Sequence, residues 1–226
     1  MDYRVIFRAR TGWYYFAFFV AAAVIFTVVV TLSDGPLQML RTIGVPYAMV
    51  VWGWWAWVWP ICEMSSQGLL VRNMFRTIVI PWRAVTSVEP RLGLYVEAPV
   101  AAHESKRFYV SAVPARGGLG STKDTKETPP ELRFERSPAP TVTVGPSAAA
   151  RMIEEERFYL ADPKARPEPS GNAQRALARH RDADFRQEPL FPSDVTVRKY
   201  ATVRWNIFPI VLGASAVLAV LAYFVF

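Results

Sequence analysis

The chain has 226 residues, 52% hydrophobic and 20% charged, with a formal net charge of +7, 18 prolines and one cysteine. A single cysteine excludes an intramolecular disulfide, and neither histidine, His103 or His180, has a second Cys or His at metal-ligand spacing. The basic balance admits nucleic acid as a partner, but Glu154, Glu155, Glu156, Asp182 and Asp184 are mixed in and no recognition motif is present, so no nucleic acid is expected.

Three apolar runs dominate the chain: residues 11–32, 43–62 and 205–226 contain no Asp, Glu, Lys or Arg. Each is about 20 residues long and, at ~1.5 Å per residue, reaches roughly 30 Å, the thickness of a bilayer's hydrocarbon core. They are apolar on all faces and longer than ordinary core helices, which argues against a soluble interior. Three transmembrane helices are therefore expected. Arg4, Arg8 and Arg10 precede the first run, as they would a signal peptide. Its apolar core exceeds a usual signal core, however, and no A-x-A-like site precedes Ser33, so a retained anchor is expected.

Ser33-Asp34-Gly35-Pro36 is a turn cluster leading through a short loop to the second run, which makes the first two runs a helical hairpin. Arg41 is the one basic residue in that loop, and none follows Arg204. Apart from Arg4, Arg8, Arg10 and Arg41, all of the 26 Lys and Arg lie between the second and third runs. The positive-inside rule then places the N-terminus and middle region in the cytoplasm and the C-terminus outside a plasma membrane. The second run holds Trp52, Trp54, Trp55, Trp57 and Trp59. At 100° per residue Trp52, Trp55 and Trp59 form one helical stripe, and Trp54 and Trp57 a nearly opposite one. An interfacial belt explains Trp59 better than the others. A partner subunit taking one stripe, and one stripe simply facing lipid, both remain open. Cys62 falls at the end of this run, where palmitoylation is conceivable and a small interfacial residue is the simpler expectation.

From Glu63 the pattern turns to β. Strands are expected at 63–65, 69–72 and 77–82, around turns at Ser66-Gln67-Gly68 and 73–76, with 84–89 continuing past a bend at Pro81. Residues 92–97 and 107–113 form a further pair. Leu92, Leu94 and Val96 share one face, and Phe108, Val110 and Ala112 share the partner's. Shorter strands are expected at 132–136 and 141–144. Ser147 then suits an N-cap for a helix over 147–160, with Met152, Ile153, Tyr159 and Leu160 on its apolar side. Residues 115–130 and 162–187 are rich in Pro, Gly and charge, too polar to order themselves alone. A charged helix over 172–186 is a further expectation.

The stretch "EMSSQGLLVRNMFRTIVIPWRAVTSVE" resembles the opening of bacterial pleckstrin-homology-like (PH-like) domains. The resemblance rests on Gly68, Leu70-Val71-Arg72-Asn73, Ile80-Pro81-Trp82 and Val85-Thr86-Ser87-Val88. In many members one or two membrane helices run directly into the first strand, holding the domain against the bilayer. The resemblance implies a seven-stranded, strongly bent sheet with the 147–160 helix over its open end. The insertion at 115–132 and the long linker to a third span depart from the commoner layout. A fold does not fix a function.

No catalytic constellation emerges. "GGLGSTK" at 117–123 lacks the phosphate-loop spacing, since Thr122 rather than glycine precedes Lys123. Glu154, Glu155 and Glu156 read as a solvated helix face. Eukaryotic relatives of the PH-like fold grip inositol phosphates with basic residues near the first hairpin, and Arg72, Arg76 and Arg83 surround the first strands here. They are the candidate lipid-headgroup contacts, against the plainer reading of general positive-inside anchoring. Ser215 and Ala219 form a small-x-x-x-small pair suited to close helix contact. With the five tryptophans they make up the candidate partner interface.

The sequence thus predicts an α+β membrane protein: three transmembrane helices plus a cytoplasmic PH-like bent β-sheet capped by a C-terminal helix. Its segments are a two-helix hairpin (1–62), the PH-like domain (63–161), a linker (162–204) and the third span (205–226). The expected role is a non-catalytic scaffold or accessory subunit of a larger membrane complex, without cofactor or metal, whose partners are the lipid bilayer and other integral membrane subunits. The alternative is an anionic-lipid-sensing module at the inner leaflet.

Overall fold

The structure, a computed structural model, describes residues 4–114, 141–161 and 199–225. The strand expected at 132–136, the charged helix at 172–186, His180 and the 117–123 motif lie outside the described residues. The chain divides into two compact units. One comprises Met1–Arg8, Ile61–Arg72 and Thr77–Val203; the other comprises Ala9–Pro60, Asn73–Arg76 and Arg204–Phe226.

The first unit holds two sheets. Strands β1 (Arg4–Phe7), β2 (Ile61–Ser65), β3 (Gly68–Arg72), β4 (Arg76–Pro81), β8 (Thr141–Val142) and β9 (Thr202–Trp205) form a mixed sheet in the order β8-β1-β2-β3-β4-β9. Strands β5 (Ser87–Arg91), β6 (Gly93–Ala101) and β7 (Glu104–Pro114) form a second, antiparallel sheet. In place of the single seven-stranded sheet of the expectation, the described residues form nine strands in two sheets. One of them, β1, precedes the first apolar helix, in a segment whose arginines read in the sequence as topogenic charges. It pairs antiparallel with β2, Val5 opposite Met64 and Phe7 opposite Cys62, and parallel with β8.

Alternation explains which side chains fill the space between the sheets. Val5 and Phe7 of β1, Cys62 and Met64 of β2, Leu69 and Val71 of β3 and Ile78 and Ile80 of β4 are buried in one cluster. Leu94, Val96 and Ala98 of β6 meet them with Phe108, Val110 and Ala112 of β7. Leu92, expected on that face, is exposed instead. It lies in the β5–β6 turn, where Gly93 takes a positive φ of 123° that favours glycine, and the buried alternation starts only at Leu94. Trp82, expected at a strand end, opens a short 3-10 turn at Trp82–Ala84; it is half-buried and its indole donates to Ser65 O at 2.8 Å.

Helix α4 (Pro146–Ala161) packs on all three strands of the second sheet. Its buried stripe is Ala149, Met152, Ile153 and Glu156, spaced i, i+3, i+4, i+7. That stripe corrects two expectations: Leu160 is exposed, and Glu156 is buried while Glu154 and Glu155 face outward.

The second unit is helical, and it overturns the expectation of three transmembrane helices. Among the described residues, one helix is long and apolar enough to cross a membrane: α1, Thr11–Asp34. Before the second uncharged run the loop forms a short helix, α2 (Pro36–Thr42), and the run itself breaks into α3 (Gly44–Gly53) and a π-helical turn at Trp54–Val58. Its last residues, Ile61 and Cys62, belong to β2, where the sheet core rather than lipid accounts for their apolar character. The third run gives Trp205 to β9. Its helix α5 (Ile207–Val225) has an apolar stretch, Ile207–Leu221, that falls short of membrane length among the described residues. Counting uncharged residues therefore overstated two helices, because strand and turn residues can be just as free of charge.

Within the helical unit the backbones come close at glycines. A Cβ on Gly12 would run into Trp57 O, one on Gly44 into Ala219 O, and one on Gly213 into the Trp55 ring. Only Gly12 and Ala23 of α1 are buried; its Tyr14, Phe18, Ile25, Val29 and Leu32 are exposed.

Candidate functional site

The five tryptophans meet partners inside the chain. Trp55 is 3% exposed: it packs on Gly213 of α5, meets Trp52 and Phe75 edge-on at 5.4 and 5.0 Å, and donates its indole N–H to Met74 O at 2.8 Å. Trp57 stacks on Tyr15 of α1 at 4.3 Å. Trp54 and Trp59, assigned to different stripes at α-helical spacing, lie 5.1 Å apart. The cause is the π turn: Trp59 N donates to Trp54 O at 3.0 Å, an i→i+5 bond that brings the two side chains together. Trp52 and Trp57 keep about 40% of their surface exposed. Ser215 and Ala219 also face a neighbour within the chain. Ser215 Oγ lies 3.1 Å from Tyr47 OH, and Ala219 O lies under Gly44.

The three candidate arginines do not form one cluster. Arg72 ends β3 and Arg76 begins β4, so both stand by the β3–β4 turn. Arg83 follows the other end of β4, about 20 Å away at ~3.3 Å per residue. Arg72 is half-buried; burial lowers its pKa, Arg8 pushes in the same direction, and Glu63 opposes. Arg83 and Arg76 are exposed, and Arg76 stacks over the Trp205 ring, 4.3 Å from its centroid.

Sequence reasoning missed how the β3–β4 turn is held. Asn206 donates its backbone N–H to Phe75 O at 2.9 Å and its side-chain amide to Asn73 O at 2.8 Å. With the Trp55 bond to Met74 O, three consecutive carbonyls of the turn, those of Asn73, Met74 and Phe75, are taken by donors of the helical unit. The sequence signal was Asn206, a lone amide between Trp205 and an apolar helix.

A second missed feature is the ion pair of Arg4 with Glu63. Glu63 is 1% exposed and receives both the Nε and Nη2 hydrogen bonds of Arg4. Cys62, beside it, is fully buried in the core, and its thiol pKa is raised to about 12, by burial first and by Glu63 second. A thiol so placed is neither a membrane-interface residue nor a ready nucleophile. His103 sits exposed in the β6–β7 turn. Among the described residues, no group of three or more His, Cys, Asp or Glu could hold a metal ion.

Compared with known proteins, the chain matches no family model, no curated protein and no solved structure.

Proposed function

We propose that the protein is a non-catalytic, membrane-anchored scaffold or accessory subunit, with α1 as a retained span and the two-sheet domain in the cytoplasm. The observation that carries this reading is the pairing of β1 with β2. The strand before α1 is built into the same sheet as the strand after Pro60, so both ends of the intervening segment belong on one side of any bilayer that α1 crosses. A leader cleaved after α1 would take a core strand and the Arg4 partner of buried Glu63 with it, which favours an anchor over a signal sequence. Arg4, Arg8 and Arg10 before α1 support the cytoplasmic side.

The PH-like resemblance draws support from the chain order of β2-β3-β4, then β5-β6-β7, then α4 on the second sheet. A domain fed by covalent connections at residues 8, 61, 72, 77 and 203 cannot leave the helical unit as a recruited sensor would. Permanent tethering suits a role in holding a neighbour beside the bilayer. The exposed apolar side chains of α1 supply a surface for lipid and for other membrane subunits. The test is purification of the full chain from its own membranes in mild detergent. Co-purification of other integral proteins in fixed ratio is the expected result; a chain that runs alone from several mild detergents contradicts it.

A further inference from the structure

The β3–β4 turn and the start of α5 form a mixed cationic and aromatic surface within the helical unit. Phe75, Arg76, Arg204, Trp205, Ile207 and Phe208 are all exposed there. Their order is a gradient. Arg76 stands over the Trp205 ring, Arg204 precedes Trp205 in β9, and Ile207 and Phe208 begin the apolar helix. Headgroup, interface and upper acyl layer call for that succession of side chains. Neither arginine is paired with a carboxylate among the described residues. In the whole helical unit the one acidic residue is Asp34, at the far end of α1, about 35 Å along the helix from Arg10. Asn206 and Trp55 hold the turn's carbonyls next to Arg76, which stacks over Trp205.

We infer that this clasp is an interfacial anchor for anionic phospholipid: Arg76 and Arg204 hold headgroup phosphates while Trp205, Phe75 and Phe208 seat at the acyl boundary. The inference rests on the membrane reading of α1 but names a separate contact. It also differs from a headgroup pocket formed by Arg72, Arg76 and Arg83, since it uses Arg76 alone of those three. Each guanidinium near an anionic surface gives a roughly fivefold preference, so two give a preference on the order of 20- to 30-fold.

The test uses the full chain with Phe208→Cys labelled by a fluorophore, Cys62 being buried. The protein is reconstituted from detergent into phosphatidylcholine vesicles containing phosphatidylglycerol and floated on a gradient. Quenching by spin-labelled phosphatidylglycerol is compared with quenching by spin-labelled phosphatidylcholine. The expected result is a strong preference for phosphatidylglycerol that Arg76→Gln with Arg204→Gln reduces to near unity while the chain still floats through α1. Equal quenching by the two lipids overturns the inference, as does a preference that the double variant keeps, or a label that no lipid quencher reaches because protein covers it. A chain that fails to float overturns the membrane reading itself, whereas a floating chain without lipid preference leaves that reading standing.

Discussion

Glu63 is a charged residue buried within the two-sheet unit. A buried carboxylate is tolerable only when it is paired and hydrogen-bonded, and Arg4 supplies both bonds from a strand nearly sixty positions earlier in the chain. Arg4→Ala leaves the charge buried without its guanidinium and is expected to destabilise the full chain by about 3–5 kcal/mol. Arg4→Ala combined with Glu63→Leu is expected to recover much of that loss, since an apolar isostere needs no partner. Denaturant melts of the three proteins in one detergent check this, and additive effects would show that the two residues act separately. Cys62 gives a pH signature in the same sheet. Its folded pKa, about 12, lies above the ordinary 9.0, so folding favours the protonated thiol. That contribution is complete below pH 9.0, and it is lost as pH rises from there toward about 12. Stability should fall across that alkaline window, and less steeply in Cys62→Ala. Equal slopes would mean that the thiol is not buried in the folded chain.

Elements of the sheet from Glu63 to Val113 were legible because alternation and turn residues agree there; Leu94, Val96, Phe108 and Val110 all point where a period of two places them. The helices were less legible. Absence of charge marks a helix for lipid, a buried strand and a tight turn alike, so Cys62 and Trp205 were absorbed into runs to which they do not belong. The π turn was invisible for another reason: an i→i+5 bond leaves no compositional trace, and it alone moves Trp59 beside Trp54. β1 was hidden because four residues are too few to show a period and its arginine invited a topogenic reading. Ser215 and Ala219 of the candidate interface lie against α3 of the same chain, through Tyr47 and Gly44. Gly213 is the sharpest test of this packing, since it meets the ring of Trp55. Gly213→Leu should cost about 1–3 kcal/mol through overpacking. In detergent its expected effects are a lower melting temperature and a Trp55 indole exposed to aqueous quenchers, whereas Ser33→Ala, at an exposed helical position of α1, should leave both unchanged.

At the scale of the whole molecule, the chain closes a loop on itself. β1 leads into α1, and the chain returns at Ile61, where β2 pairs with β1. On the reading proposed above, α1 is an internal element and both ends of the 9–60 segment lie on one side of the membrane. The pairing also explains why the chain passes from the tryptophan-rich segment into β2 with almost no linker: the receiving strand is already in place, with Phe7 opposite Cys62. The most direct measurement is a disulfide between Val5→Cys and Met64→Cys on a Cys62→Ala background, in the full chain within native membranes. Directly opposed antiparallel residues have Cα atoms about 4.5–5.5 Å apart, inside the range that a disulfide spans. The account predicts that mild oxidation joins the two positions within one chain, seen by mass spectrometry as a linked pair of peptides in membrane-extracted protein. Free thiols at both positions after oxidation, or a mature chain that begins downstream of Asp34, would contradict it.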